Sequence, residues 1–299
     1  MNAATAEVSG MRATFLRILV RLRRLFSRLP LHFVLIAIAL LWMTPTIGLL
    51  VSSFRPATEV SSTGWWNAFQ TPFRFTLDNY STVISQNGMG RSFLNSLIIT
   101  IPGTVIPILV ASFAGFAFAW MKFPGRNLLF IFLVALIVVP IQATLIPVLR
   151  FLADAKLVGT FPGIWLAHTA YGLPFAIFLL TSFFGSLPKE LLESAYLDGA
   201  SNMRVFFRLV LPLSVPAIAS LAIFQFLWVW NDLLVALVYL QTPSKAPMTL
   251  TISNLVSSFG TQWQLLTAAA FISMILPLIV FFALQRYFVE GITAGAVKG

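Results

Sequence analysis

Long apolar runs separated by short polar stretches dominate the chain. Six of them reach the roughly 20 residues that an α-helix needs to cross ~30 Å of hydrocarbon. They predict transmembrane helices over His32–Phe54, Phe93–Trp120, Asn127–Leu149, Phe161–Phe184, Leu213–Leu240 and Leu265–Tyr287. Two other stretches have a helical period with one polar face. From Met11 to Leu29, Phe15, Ile18, Leu19, Leu22, Leu25, Phe26 and Leu29 recur at helical spacing among arginines, a pattern that lies well on an anionic leaflet. The other is the loop from Gly185 to Pro212. The segment from Arg55 to Arg91 is polar and carries Trp65 and Trp66, so it is expected outside, against the membrane interface.

Composition turns these runs into a class. Of 299 residues, 59% are hydrophobic and 9% charged, against about 25% charged in a soluble domain. Too few charges remain to cover a soluble surface, so the fold is all-α and membrane-integral. Cysteine is absent and histidine occurs at His32 and His168 alone, which excludes thiolate nucleophiles, disulfides and Cys/His zinc clusters. The net charge of +10 would suit nucleic acid, but Arg12, Arg17, Arg21, Arg23, Arg24 and Arg28 crowd directly before an apolar run, as a membrane flank does. With the N-terminus inside, thirteen basic residues fall in inside segments and six outside, which puts both termini in the cytoplasm. The first run is longer than a signal-peptide core and no A-x-A site follows it, so it reads as an uncleaved span.

Inside the spans, Ala111, Gly115 and Ala119 form a small-residue stripe that lets helices approach closely. Pro102, Pro107, Pro140, Pro147, Pro174, Pro216 and Pro277 lie in or beside spans, where each freed carbonyl needs a new donor from a neighbour or a wet cavity.

The loop GSLPKELLESAYLDGASNMRVFFRLVLP carries the most chemistry. Ser186 is the expected N-cap of a first short helix with Leu187, Leu191, Leu192 and Ala195 on its apolar face, ended by Gly199 in the left-handed conformation. Ser201 is the expected cap of a second, with Met203, Phe206, Phe207 and Val210 on one side and Arg204 and Arg208 on the other; Pro212 turns the chain into the fifth span. Two amphipathic helices around a glycine make either a docking knob or a pair of helices resting on lipid.

Glu193-Ser194-Ala195, then Gly199, then Leu209 and Leu211-Pro212 resemble the EAA loop of ABC importer permeases in identity and spacing, and Asp198-Gly199-Ala200 is similar to its sugar-importer version. SFRPATEV, FTLDNY, FLNSLIIT, WVWNDLL and the tail QRYFVEGITAGAVKG extend the likeness from about Leu31 to the C-terminus, nearest to the smaller permease of carbohydrate importers such as the maltose system. Ser194 replaces the usual alanine, and Leu209 a common isoleucine. The resemblance implies a type I importer permease in a bacterial inner membrane, paired with a second, non-identical permease, two ATPase subunits and an extracytoplasmic solute-binding protein. It implies that Glu190, Glu193, Ser194, Ala195, Asp198, Gly199, Ala200, Leu211 and Pro212 form the ATPase-coupling surface, and that Gly291, Gly295, Lys298 and Gly299 in the tail make a second contact. The division expected is a basic N-terminus (1–31), a first span (32–54), an outer loop (55–91), a permease core (92–287) holding the EAA loop (185–212), and a tail (288–299).

No G-x-x-x-x-G-K-[ST] occurs, so ATP and Mg would belong to the partner ATPase, and no cofactor or metal is expected on this chain. Asp232 is the conspicuous acid within a span, beside Asn231 and flanked by Trp228 and Trp230. An ionisable group there faces a bundle interior or a wet cavity. The four residues are candidates for the solute path, with interhelical hydrogen bonds as the structural alternative; Gln142 and His168 stand in the same position. Three alternatives compete with sugar import. One is a permease for another solute such as glycerol phosphate. An integral transferase would need a carboxylate pair or a histidine cluster. A channel would need a charged pore ring.

Overall fold

The computed structural model describes residues 29–70, 72–85, 88–258 and 262–296. The amphipathic stretch read over Met11–Leu29 lies outside them except for its last residue, as do Lys298 and Gly299. The described residues are helical, with no strand among them. In chain order the helices are α1 (Leu29–Ser53), α2 (Ala57–Ser62), α3 (Asp78–Ser85), α4 (Met89–Trp120), α5 (Arg126–Leu136), α6 (Ile141–Asp154) and α7 (Phe161–Gly185). They continue with α8 (Lys189–Leu197), α9 (Asn202–Val205), a π-turn (Phe206–Val210), α10 (Leu211–Leu213), α11 (Val215–Trp230), α12 (Leu234–Tyr239), α13 (Met248–Ser258) and α14 (Trp263–Ala296).

Four helices, α1, α4, α7 and α14, are long and apolar enough to cross a membrane, and counting two bent pairs as spans brings the total to six. The expectation of six holds, but two spans are not straight. The third divides into α5 and α6, which meet at 105°. Pro140 is the cause, because it caps α6 in an extended conformation (φ −62°, ψ 130°) and has no N–H to continue the preceding turn. The fifth stops at Trp230, turns through Asn231–Leu233 and restarts as α12. Its start also bends by 73° where α10 enters α11. Between the fifth and sixth spans the structure adds α13, whose Met248 and Leu255 are buried; its apolar positions are too few to stand out beside the spans.

The small-residue stripe on α4 is where α7 packs. Ala111 is fully buried, and a Cβ on Gly115 would come within 3.1 Å of Leu180 Cβ and 3.2 Å of Thr181 N, so any larger residue there would push the two helices apart by a few tenths of an ångström or more. α11 lies against α4, α7 and α14 and completes the bundle. α1 stands at the margin, with Phe33, Leu41 and Trp42 exposed on different sides of the helix. The following segment is tied down rather than loose. Arg55 is 1% exposed and donates to the carbonyls of Glu59, Thr63 and Gly64 and to the Thr63 hydroxyl, while Asn79 Nδ2 donates to the carbonyls of Ser53 (2.8 Å) and Arg55 (2.9 Å).

The prolines inside helices explain several long-range bonds. A proline at position i leaves the carbonyl at i−4 without its helical donor. Pro102 frees Ile98 O, which accepts from Trp165 Nε1 at 2.8 Å. Pro107 frees Gly103 O, which accepts from Gln225 Nε2 at 3.0 Å. Pro277 frees Ser273 O, which accepts from Trp230 Nε1 at 3.0 Å. Each bond replaces a lost backbone donor and also ties two helices together.

Candidate functional site

The Gly185–Pro212 loop folds as the two-helix knob its pattern predicts, with a different entry. Ser186 does not cap α8: it ends α7, and its hydroxyl donates back to Phe183 O at 2.7 Å. Pro188 opens α8 instead, since it needs no donor at that position. The exit is as expected. Gly199 has φ +77°, and Gly199 N and Ala200 N close on the carbonyls of Tyr196 and Ala195, both at 3.0 Å, so that an α-helix ends in a tight left-handed turn. Ser201 then caps α9 through Arg204 N.

Pro212 reshapes the second half of the knob. It cannot donate to Arg208 O, and the chain before it loosens into a π-turn in which Leu211 N reaches Phe206 O. The extra residue rotates the apolar face. Val205, Phe206 and Val210 are buried, whereas Met203 and Phe207, expected beside them, stay exposed. Phe206 packs its ring near Phe113 and Phe116 of α4, and Leu192 and Phe184 complete this end of the core. Ala195, Ala200 and Leu211 are partly buried on that core, while Glu190, Glu193, Ser194, Asp198 and Pro212 face outward. Leu191 also turns outward, and Leu197 at the tip is 89% exposed.

At the opposite end of α11 the four candidate path residues separate. Trp230 is 2% exposed, its ring between Phe93 and Phe226 and its N–H on Ser273 O, so it is a core residue without surface for a path. Asp232 accepts from Val235 N (3.2 Å, Oδ1) and Ala236 N (3.1 Å, Oδ2) and thereby caps α12. Its main-chain carbonyl takes the Thr249 hydroxyl at 2.7 Å. Buried His168 lies 3.9 Å from Asp232 Oδ2, with Trp228 edge-on to the imidazole at 5.5 Å. Asn231 is exposed and its amide donates to Leu227 O at 2.7 Å. Asn231 is open, Trp228 and Asp232 are partly exposed, and Trp230 is buried.

Two concavities were not anticipated. One, of about 740 Å³ at the far end from the knob, is bordered by Arg91, Gln241 and Asn254. The other, of about 290 Å³, lies between α7 and α11 and is bordered by Tyr171, Gln225 and Trp228. Tyr171 and Gln225 carried no sequence signal beyond being polar within apolar runs. In the tail, Gly291 and Gly295 lie within the helical backbone of α14, and Lys298 and Gly299 fall outside the described residues. Among the described residues no group of three or more His, Asp or Glu side chains converges as metal ligands would.

Known proteins resemble this chain over nearly its whole length. It is 60% identical over 277 residues to the osmoprotective compounds uptake permease protein GgtD of Synechocystis sp., covering 91% of this chain and 93% of that protein. It is 56% identical over 238 residues to the alpha-glucoside transport system permease protein AglG of Rhizobium meliloti, covering 77% of this chain and 62% of that one. Among solved structures, a bacterial ABC transporter involved in importing the acidic polysaccharide alginate has a chain with a TM-score of 0.73 at 22% identity, covering 89% of this chain and 97% of that chain. Residues 108–294 match the family described as binding-protein-dependent transport system inner membrane component. With six spans, a knob ending in a left-handed glycine and these relatives, the chain belongs to that family: it is an ABC importer permease, a transport subunit of the inner membrane rather than an enzyme.

Proposed function

We propose that the chain is one of two non-identical permeases in a carbohydrate importer driven by a separate pair of ATPase subunits, with the knob and both termini on the cytoplasmic side. The exposed tip of the knob carries the reading. Leu197 stands almost fully in the open, with Leu191, Met203 and Phe207 also uncovered and Glu190, Glu193 and Asp198 around them. A rigid apolar tip with a charged rim is the anatomy of a protein interface. The knob also packs through Phe206 onto α4, so a push on it reaches the bundle as a rigid body.

In this reading ATP and Mg stay with the ATPase. Closure of the ATPase dimer draws the coupling knobs together and opens the bundle toward a solute-loaded binding protein. The end of α14 with its following tail provides the second contact. Trp228 and Asn231 face the solute path, while Asp232 and Trp230 hold the wall behind them. The relative named for alpha-glucoside transport supports a small carbohydrate as the solute.

The test is recovery of tagged chain from its own cells in mild detergent, followed by partner identification, ATP hydrolysis and uptake assays with radiolabelled trehalose, sucrose and maltose. An ATPase and a second permease are expected in the complex. Repeated recovery of folded chain without either, while whole cells still take up the sugar through it, would overturn the reading.

A further inference from the structure

The chain between α1 and α3 turns large apolar side chains away from the protein, although none of it is a span. Trp65–Phe69 forms a short 3₁₀ helix, in which residues three apart share a face. Trp65 and Ala68 take the inner face. A Cβ on Gly48 of α1 would come within 2.8 Å of the Trp65 indole, and Ala68 is buried. Trp65, expected at the membrane interface, is thus a packing residue. Trp66 and Phe69 take the outer face and are 64% and 58% exposed.

The same division continues further along. Phe73, Phe75 and Leu77 alternate with Arg74 and Thr76 and are as exposed as Trp66 and Phe69. The residues between them hold the stretch to the protein: Arg74 Nε lies 3.8 Å from Glu59 Oε1, and Thr76 N donates to Phe54 O at 2.7 Å. Large apolar side chains therefore stand uncovered on a backbone fixed to the end of α1. That helix has 25 residues, about 37 Å, against ~30 Å of hydrocarbon, so the chain after Ser53 emerges at headgroup level. It emerges at the end of the bundle opposite the knob, because α3 leads into the start of α4, whose far end holds Phe113 and Phe116 near Phe206.

We propose that Trp66, Phe69, Phe73, Phe75 and Leu77 form an interfacial foot that rests in the lipid of the leaflet facing away from the knob, with Arg74 at the phosphates. The foot adjoins the exposed Leu49 and Leu50 at the end of α1, itself a span. Aromatic rings are favoured at headgroup level, and an arginine among them keeps its charge in the polar layer while its stem lies on apolar surface. Residues 73–76 lie outside any helix, so their backbone needs water or headgroups, and the foot goes no deeper than the interface. A protein partner would call for a charged or polar rim, whereas Glu59 is turned to Arg55 and Arg74. Being bonded to Phe54 and Glu59, the foot sets the level at which α1 leaves the membrane. Nothing in this contact depends on the solute carried.

The chain contains no cysteine, so Trp66→Cys, Phe73→Cys, Phe75→Cys and, as a control on α2, Ser61→Cys each place one nitroxide label in the complete transporter, beside cysteine-free partner subunits. The complex is held in nanodiscs of phosphatidylethanolamine and phosphatidylglycerol. Collisions with dissolved oxygen, which concentrates in lipid, and with a water-soluble nickel chelate then report what surrounds each label. At the foot positions the ratio of oxygen to nickel accessibility is expected to exceed that of Ser61→Cys by at least about fivefold, as insertion at the boundary of headgroups and acyl chains requires. A ratio no higher than the control overturns the foot, whether nickel reaches the label, as in water, or neither reagent does, as under a binding protein or second permease. If the variants do not assemble, a phospholipid with a diazirine next to its headgroup is photolysed with the wild-type transporter and the labelled peptides are mapped. Label on the peptide holding Phe73 and Phe75 supports the foot, and label confined to the spans overturns it.

Discussion

At the residue scale, the determining events are replacements of lost backbone bonds. Trp165, Gln225 and Trp230 each donate to the carbonyl that a proline has freed, on a helix far away in sequence. The prolines were legible in the sequence and so was the need for substitute donors; which side chain answers was not, because it depends on helix packing. For that reason Trp230, adjacent to Asn231 and Asp232, reads in the sequence as a path residue and in the fold as a clamp. Trp230→Phe keeps a ring but removes the donor, leaving Ser273 O buried and unpaired at a cost of about 1–3 kcal/mol. Pro277→Ala restores the backbone N–H, so in that background the same change should cost much less. Thermal unfolding of the purified chain in one detergent, for wild type, both single variants and the double variant, measures the coupling. Equal losses in the two backgrounds would refute the clamp.

Asp232 makes the same point with a charge. A carboxylate inside an apolar run invites a functional reading, yet both oxygens are engaged by the first turn of α12. Asp232→Ala should therefore destabilise by about 0.5–2 kcal/mol, as loss of a helix cap does. Asp232→Asn, which retains an acceptor, should lose less than half of that. The same unfolding series reads both, and an asparagine variant as damaged as the alanine one would point to the charge near His168 instead.

At the element scale, helix identity was legible and helix continuity was not. Hydropathy located every span because about 20 apolar residues are needed whatever the helix does. It missed the 105° turn at Pro140 because a break lined with Ile137, Val138 and Val139 leaves the average unchanged, and the restart at Leu234 because two polar residues are too few to lower the average of so apolar a run. The small-residue stripe on α4 was legible since its meaning is local: no side chain, no obstruction. Gly115→Leu forces a side chain into backbone atoms of α7 and should destabilise the chain by about 1–3 kcal/mol. Size-exclusion of a fluorescent fusion would show a loss of folded peak, and an unaltered peak and melting temperature would refute close α4–α7 contact.

The knob obeys the same division. Its glycine and second cap were legible from residue type, but the π-turn that holds exposed Phe207 was not, because it follows from Pro212 acting on a helix four residues upstream. A Cβ at Gly199 would meet nothing, so substitution there acts through the backbone alone. Gly199→Ala at φ +77° should cost about 1–2 kcal/mol locally and tilt α8 relative to α9 while the bundle stays folded. ATPase co-purification would fall while the amount of inserted chain holds, and undiminished co-purification would separate the glycine from docking.

At the scale of the whole molecule, the question is which exposed apolar surface meets lipid and which meets protein. Apolar side chains along α1 and α5 belong to spans, where hydrocarbon suffices. Leu197 does not: it ends a polar helix with Glu190, Glu193 and Asp198 on its surface, and at 89% exposure it is more open than the other large apolar side chains of the described residues. Leaving a leucine in water forgoes about 1.5–3 kcal/mol that burial would supply, so the tip is a strong candidate for covering by a partner. The sequence offers a clean probe because it contains no cysteine. Leu197→Cys, labelled with a membrane-impermeant maleimide, should react quickly in the isolated chain and at least tenfold more slowly in the complete transporter. In right-side-out vesicles it should stay unlabelled until the membrane is permeabilised, which also fixes the side of the knob. A cysteine at Asn231 should behave oppositely in the vesicles. Labelling of Leu197→Cys from the outside would invert the topology, and equal rates with and without partners would leave the tip to solvent and remove the docking role from the knob.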